Sequence, residues 1–138
     1  NGGILAETPS ESHFSDVAPG DWFFPYLEEA AREGWVKGDS ECFPERPCKV
    51  RPRDAITRAE AAALIRRAFG KKPLGLAPAF KDNPPGTWFS DMMQTAADHC
   101  ILRGDDASRN VRPGDFLNRA EMVTMLSRVD EGRRYPNC

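Results

Sequence analysis

The chain is written twice. Phe14-Ser15-Asp16 opens one segment, and Phe80-Lys81-Asp82 opens another 66 residues later. At the same offset Trp22 pairs with Trp88, Phe23 with Phe89, Ala30 with Ala96, and Gly38-Asp39 with Gly104-Asp105. Val50-Arg51-Pro52 then matches Val111-Arg112-Pro113, and Thr57-Arg58-Ala59-Glu60 matches Asn118-Arg119-Ala120-Glu121, now at an offset of 61. The first copy therefore carries five extra residues, in the loop that holds Cys42 and Cys48. A repeat of this length makes each copy one supersecondary unit, which cannot bury its apolar face alone and must stack on a neighbour.

Each copy reads as helix, loop, helix. Tyr26, Leu27, Ala30 and Ala31 recur at helical spacing, as do Met92, Met93, Ala96 and Ala97. Ala61, Leu64, Ile65 and Ala68 form a second stripe, echoed by Met122, Met125, Leu126 and Val129. Helices are expected near 24–34, 57–69, 90–100 and 118–129, in an all-α fold with no sheet beyond short bridges. Thr57 with Glu60 is a capping box, and Asn118 with Glu121 repeats it with another good cap residue. That explains the ends of the motif and leaves Arg58 and Arg119 unexplained. Both are cations at the positive end of a helix dipole, so each calls for a partner, either a carboxylate within the fold or an external anion. Asp16 and Asp82 are candidate internal partners. The organisation is a tail over 1–13, one copy over 14–70, a Pro- and Gly-rich linker over 71–79, a second copy over 80–130 and a tail over 131–138.

Composition narrows the function. The net charge is −2, with 19 basic residues dispersed among 21 acidic ones, so no concentrated basic face exists to grip nucleic acid. No apolar run approaches the length of a membrane span. With two histidines and no C-x-x-C, a zinc site is not expected. Asp105, Asp106, Ser108 and Asn110 lack the glycine and distal glutamate of a calcium loop. No nucleophile, base and acid stand in a catalytic context. The chain reads as a non-enzyme with no cofactor and no metal. Its four cysteines allow three pairings if oxidised, and free thiols remain the alternative. The expected pairs are Cys42–Cys48, closing the inserted loop, and Cys100–Cys138, pinning the C-terminal tail. Both belong to an oxidising, extracytoplasmic setting.

The order Phe-x-Asp, Trp, helix, Gly-x-x-x-Gly-Asp, x-Arg-Pro, Thr-Arg-Ala-Glu resembles the S-layer homology domain; the first copy carries it whole, and the second has Cys100 in place of the first glycine and Asn118 in place of the threonine. The fold this implies is a small helical bundle of tandem repeats. The function it implies is a non-catalytic cell-envelope module, secreted or displayed on the envelope surface, that binds an acidic, pyruvylated secondary cell-wall polysaccharide. The resemblance implies that Arg58 and Arg119 hold the anionic sugar and that Trp22 and Trp88 shape or stack on its groove. Gly38-Asp39 and Gly104-Asp105 would line it. The bland assignments are core packing for the tryptophans, turn formation for Asp39 and Asp105, and a solvated helix face for Glu28-Glu29. The second functional reading is a self-assembling envelope or filament subunit, a homo-oligomer or polymer, with Ile4 and Leu5 of the apolar tail packing on a neighbour. The drift to Asn118 favours a structural arginine in the second copy and a ligand-facing one in the first.

Overall fold

A computed structural model describes residues 9–39, 48–134 and 137–138. Four helices are present: α1 (Phe24–Arg32), α2 (Arg58–Ala68), α3 (Ser90–Asp98) and α4 (Arg119–Arg128). Among the described residues the extended structure outside them is one isolated bridge, Thr57 to Phe116. The fold is all-α, as the two helical stripes of each copy require. The chain divides into two compact units, Asn1–Asp54 and Ala55–Cys138.

The first unit holds α1 and a small core of Phe14, Val17, Phe24 and Cys48. Pro25 occupies the first turn of α1, where its missing N–H is not needed. The helix ends at Gly34, whose φ of +72° suits glycine. There the Trp35 and Val36 N–H groups both turn back to the Ala30 carbonyl, at 2.8 and 3.2 Å. Nine residues make a marginal helix in water, so α1 depends on packing. Glu28 corrects the solvated-face expectation: it is buried and accepts hydrogen bonds from Ser12 Oγ (3.0 Å) and the His13 N–H (2.9 Å). Its charge is spent fixing the segment that leads into Phe14.

The second unit packs α2 against α3. Ala59, Ala61, Ala62 and Ile65 of α2 share one buried cluster with Met93 and Ala96 of α3, Met125 of α4, and Ile101, Leu102 and Val111. Small alanines let the helices approach closely. Both α2 and α4 begin with complete capping boxes, Thr57 with Glu60 and Asn118 with Glu121. The stretch read as a linker is tied to α3 and the residue after it. The Leu74 N–H donates to the fully buried Asp98 (2.9 Å), the Ala79 N–H donates to Gln94 (3.1 Å), and His99 Nε2 meets the Lys72 carbonyl (2.9 Å).

Cys100 stands where the first copy has Gly34, and its φ is +57°. The Ile101 and Leu102 N–H groups turn back to Ala96, as their counterparts turn back to Ala30. The left-handed residue is thus required by the turn, and Cys100 bonds to Cys138 across a Cα separation of 5.4 Å. Cys48 is disulfide-bonded too, while Cys42, Ile4 and Leu5 lie outside the described residues. Replacing Cys138 by Ser should lower unfolding free energy by about 3–4 kcal/mol, the value for a loop of this length. Cys100→Gly should lose roughly 1 kcal/mol less, because glycine relieves the left-handed backbone. Denaturant unfolding of both variants checks the ranking; equal losses would contradict it.

Candidate functional site

Each copy builds one surface assembly from the same parts. Asp16 accepts the N–H groups of Val50 (3.0 Å) and Arg51 (2.8 Å). Asp82 accepts those of Val111 and Arg112, both at 2.7 Å. These carboxylates serve backbone donors and not the arginines of the second helices, so the pairing of Asp16 and Asp82 with Arg58 and Arg119 is overturned. Burial works against the charged form of Asp16, but the Val50 and Arg51 N–H groups, with Lys49 nearby, hold its carboxyl below the ordinary value.

The clamp forces an unusual backbone. Arg51 and Arg112 have φ of +52° and +53°, although each precedes a proline. Turned this way, Arg51 Nε reaches Asp39 at 2.8 Å, and Arg112 Nε reaches Asp105 at 3.4 Å. The Asp39 N–H donates to the Lys49 carbonyl and the Asp105 N–H to that of Asn110, both at 2.9 Å. Asp39 and Asp105 are therefore held as parts of a turn. A Cβ at Gly38, which also has a positive φ, would collide with Cys48 Sγ and crowd the Lys49 carbonyl and Phe14. One at Gly104 would press on the Phe80 ring and the Asn110 carbonyl. Both glycines exist so that the turn can lie on the aromatic ring of the Phe-x-Asp motif.

The tryptophans correct the core-packing expectation. Trp22 is 81% exposed and Trp88 61% exposed. Each stands edge-on to the following phenylalanine, Trp22 to Phe23 at 5.4 Å and Trp88 to Phe89 at 5.6 Å between ring centres. Those phenylalanines are partly buried against the cores and fix the indoles from below. In the first unit Arg53 lies over Phe23 at 5.5 Å and 3.6 Å from Asp21. Arg53 was not singled out from the sequence, since its counterpart in the second copy is Gly114. In the second unit a recess of about 220 Å³ adjoins the Gly104-Asp105 turn, lined also by Phe80, Arg103, Arg109 and Cys138.

Arg58 and Arg119 part company, in the reverse sense to that expected from the drift to Asn118. Arg58 is buried, and its Nε donates to the Val111 carbonyl at 2.7 Å while Nη1 meets Glu121 at 3.3 Å. Its own N–H and that of Ala59 donate to the carbonyls of Asp115 (2.8 Å) and Pro113 (3.0 Å). Arg119 is exposed and has no such partner among the described residues. Removing Arg58 leaves the Val111 carbonyl and one oxygen of the Glu121 carboxylate without their buried donor. Arg58→Ala should therefore destabilise the chain by about 2–3 kcal/mol. Arg119→Ala should change stability by less than about 0.5 kcal/mol. Thermal melts of the two variants decide it, and equal melting temperatures would refute the distinction.

Among the described residues no helix is long and apolar enough to cross a membrane, and no cluster of His, Cys, Asp or Glu is placed to hold a metal. The S-layer homology domain matches residues 13–42. The chain is 30% identical to the middle cell wall protein of Brevibacillus brevis over 86% of its length, covering 10% of that protein. It is 33% identical to a cellulosome-anchoring protein of Acetivibrio thermocellus over 63% of its length, covering 18% of that protein. It is also 27% identical to the exoglucanase XynX of Acetivibrio thermocellus over 88% of its length, covering 11% of that protein. The chain thus spans less than a fifth of the length of each of these curated relatives.

Proposed function

We propose, from the chain's membership of the S-layer homology domain family, that it is a non-catalytic module at the cell-envelope surface that holds an acidic wall glycan. The observation that carries this reading is the pair of exposed, phenylalanine-backed tryptophans at equivalent positions in the two copies. A fixed indole face in water is an apolar platform, and the C–H face of a sugar ring is a surface that can cover it. Arg53 beside Phe23 supplies a guanidinium within reach of the same platform, suited to the carboxylate of a pyruvyl group. Its ion pair with Asp21 is on the surface and therefore weak enough to be exchanged for a ligand. Arg58, spent inside its unit, is not part of the binding face in this reading, and Asp39 and Asp105 shape the turns without contacting the sugar.

The match to an enzyme such as XynX falls on a small fraction of that protein, which supports a role apart from catalysis. The test is titration of the whole chain with purified pyruvylated wall polymer, and with the same polymer after removal of pyruvate. Trp22→Ala and Arg53→Gln should each weaken binding by about tenfold, or ~1.4 kcal/mol. Affinity should fall with added salt, and removal of pyruvate should abolish the effect of Arg53→Gln. Binding unaltered by Trp22→Ala and Trp88→Ala together would defeat the reading.

A further inference from the structure

The two tryptophan platforms share a frame and differ in charge. In each, an exposed indole stands edge-on to a phenylalanine that packs on a core. In each, the carbonyl of the residue before the tryptophan accepts the N–H of the residue after the phenylalanine, Phe24 to Asp21 at 3.0 Å and Ser90 to Thr87 at 3.2 Å. The side chains around this frame do not match. Arg53, which lies over Phe23, corresponds to Gly114. Asp21, which pairs with Arg53 at 3.6 Å, corresponds to Thr87. Both members of the ion pair are therefore replaced together by uncharged residues.

The local bonding changes with them. In the first copy the Asp21 carboxylate accepts the Ala18 N–H at 2.9 Å. In the second, Pro84 stands at the position of Ala18 and has no N–H, and Thr87 Oγ1 donates instead to the Pro84 carbonyl at 3.3 Å. Arg112 is the one cation of the loop 111–115, and it turns to Asp105 and Asp115, at 3.4 and 3.1 Å. The charge nearest to Trp88 in sequence is the carboxylate of Asp91, in the first turn of α3, where α1 has Pro25. An anionic group brought to Trp88 loses the bidentate partner that Arg53 offers at Trp22 and gains a like charge nearby. An uncharged sugar ring needs neither, since its C–H face can cover the indole while its hydroxyls stay in water.

We propose that the two platforms take different sugar residues of one wall polymer. The first, with Trp22 and Arg53, takes an acidic residue, and the second, with Trp88 and no such guanidinium, takes an uncharged one. The inference rests on the glycan reading and adds to it a division of specificity between the copies. Position 53 and its counterpart 114 set the difference. Gly114 is exposed and its φ is not positive, and a Cβ placed there meets nothing within 4 Å. An arginine therefore fits at 114 without strain, so charge recognition can be moved from one copy to the other.

Titration of the whole chain with purified pyruvylated wall polymer, and with the same polymer stripped of pyruvate, tests the division. Trp88→Ala leaves the first platform and should bind the pyruvylated polymer about tenfold more tightly than the stripped one, a gap that added salt narrows. Trp22→Ala combined with Arg53→Gln leaves the second platform and should bind the two polymers within about twofold of each other. Gly114→Arg added to that double variant should create a preference of about tenfold for the pyruvylated polymer. All four altered residues are exposed, and circular dichroism should show the helix content of the unaltered chain in every variant. A second platform that prefers the pyruvylated polymer as strongly as the first does would overturn the proposal. So would one that binds neither polymer, or one that gains no preference from Gly114→Arg. Binding unchanged when Trp22, Arg53 and Trp88 are all replaced would instead defeat the glycan reading itself, and the division with it.

Discussion

The arrangement of the second unit turns on one guanidinium. Arg58 stands at the positive end of α2, where the helix dipole disfavours a cation, and it is taken out of water as well. Two acceptors offset this, the Val111 carbonyl and Glu121. Glu121 in turn divides its carboxylate, one oxygen accepting the Asn118 N–H in the capping box of α4 and the other meeting Arg58. One carboxylate therefore ties the start of α2 to the start of α4, across 63 residues of sequence. The first two N–H groups of α2, which a helix cannot satisfy internally, are met by the loop before α4. The same contact thus completes two helix starts and sets the separation at which Ala62 and Ile65 can pack.

That loop can receive α2 because a second carboxylate has already shaped it. Asp82 takes two successive N–H groups, Val111 and Arg112, and bends the chain into a left-handed arginine. The arginine side chain then binds the Asp of the preceding turn, so Asp82, Asp105 and Arg112 are joined at one corner. Asp16, Arg51 and Asp39 do the same in the first unit. Structural work of this kind accounts for most of the recurrent charged residues. The tryptophan of each unit and the Arg53 guanidinium, by contrast, face outward.

Local features were legible in the sequence. All four helices lie within the expected stretches, because the apolar period and the capping residues are local signals. The Cys100–Cys138 bridge could be anticipated from a cysteine at a glycine position. Features decided by distant contacts were not legible. The partner of Arg58 is Glu121, a residue already assigned to capping, and a capping glutamate does not announce that its second oxygen is in use. Asp16 and Asp82 could not be told from ion-pair carboxylates, since the N–H groups they accept carry no side-chain signature. Trp22 and Trp88 lie just before α1 and α3, and only the assembled cores show that Phe23 and Phe89 take the inner positions. Arg53 lacked the mark of repetition that drew attention to the glycan-site candidates, since Gly114 stands at its counterpart.

Arg58 and Glu121 form a direct pair between the starts of α2 and α4, and their energetic coupling is what holds the second unit in place. A double-mutant cycle measures this most directly, with Arg58→Met, Glu121→Gln and the double variant unfolded in denaturant. The expected coupling free energy is about 1–2 kcal/mol, beyond what an exposed surface pair gives. Additive losses, with coupling near zero, would contradict it.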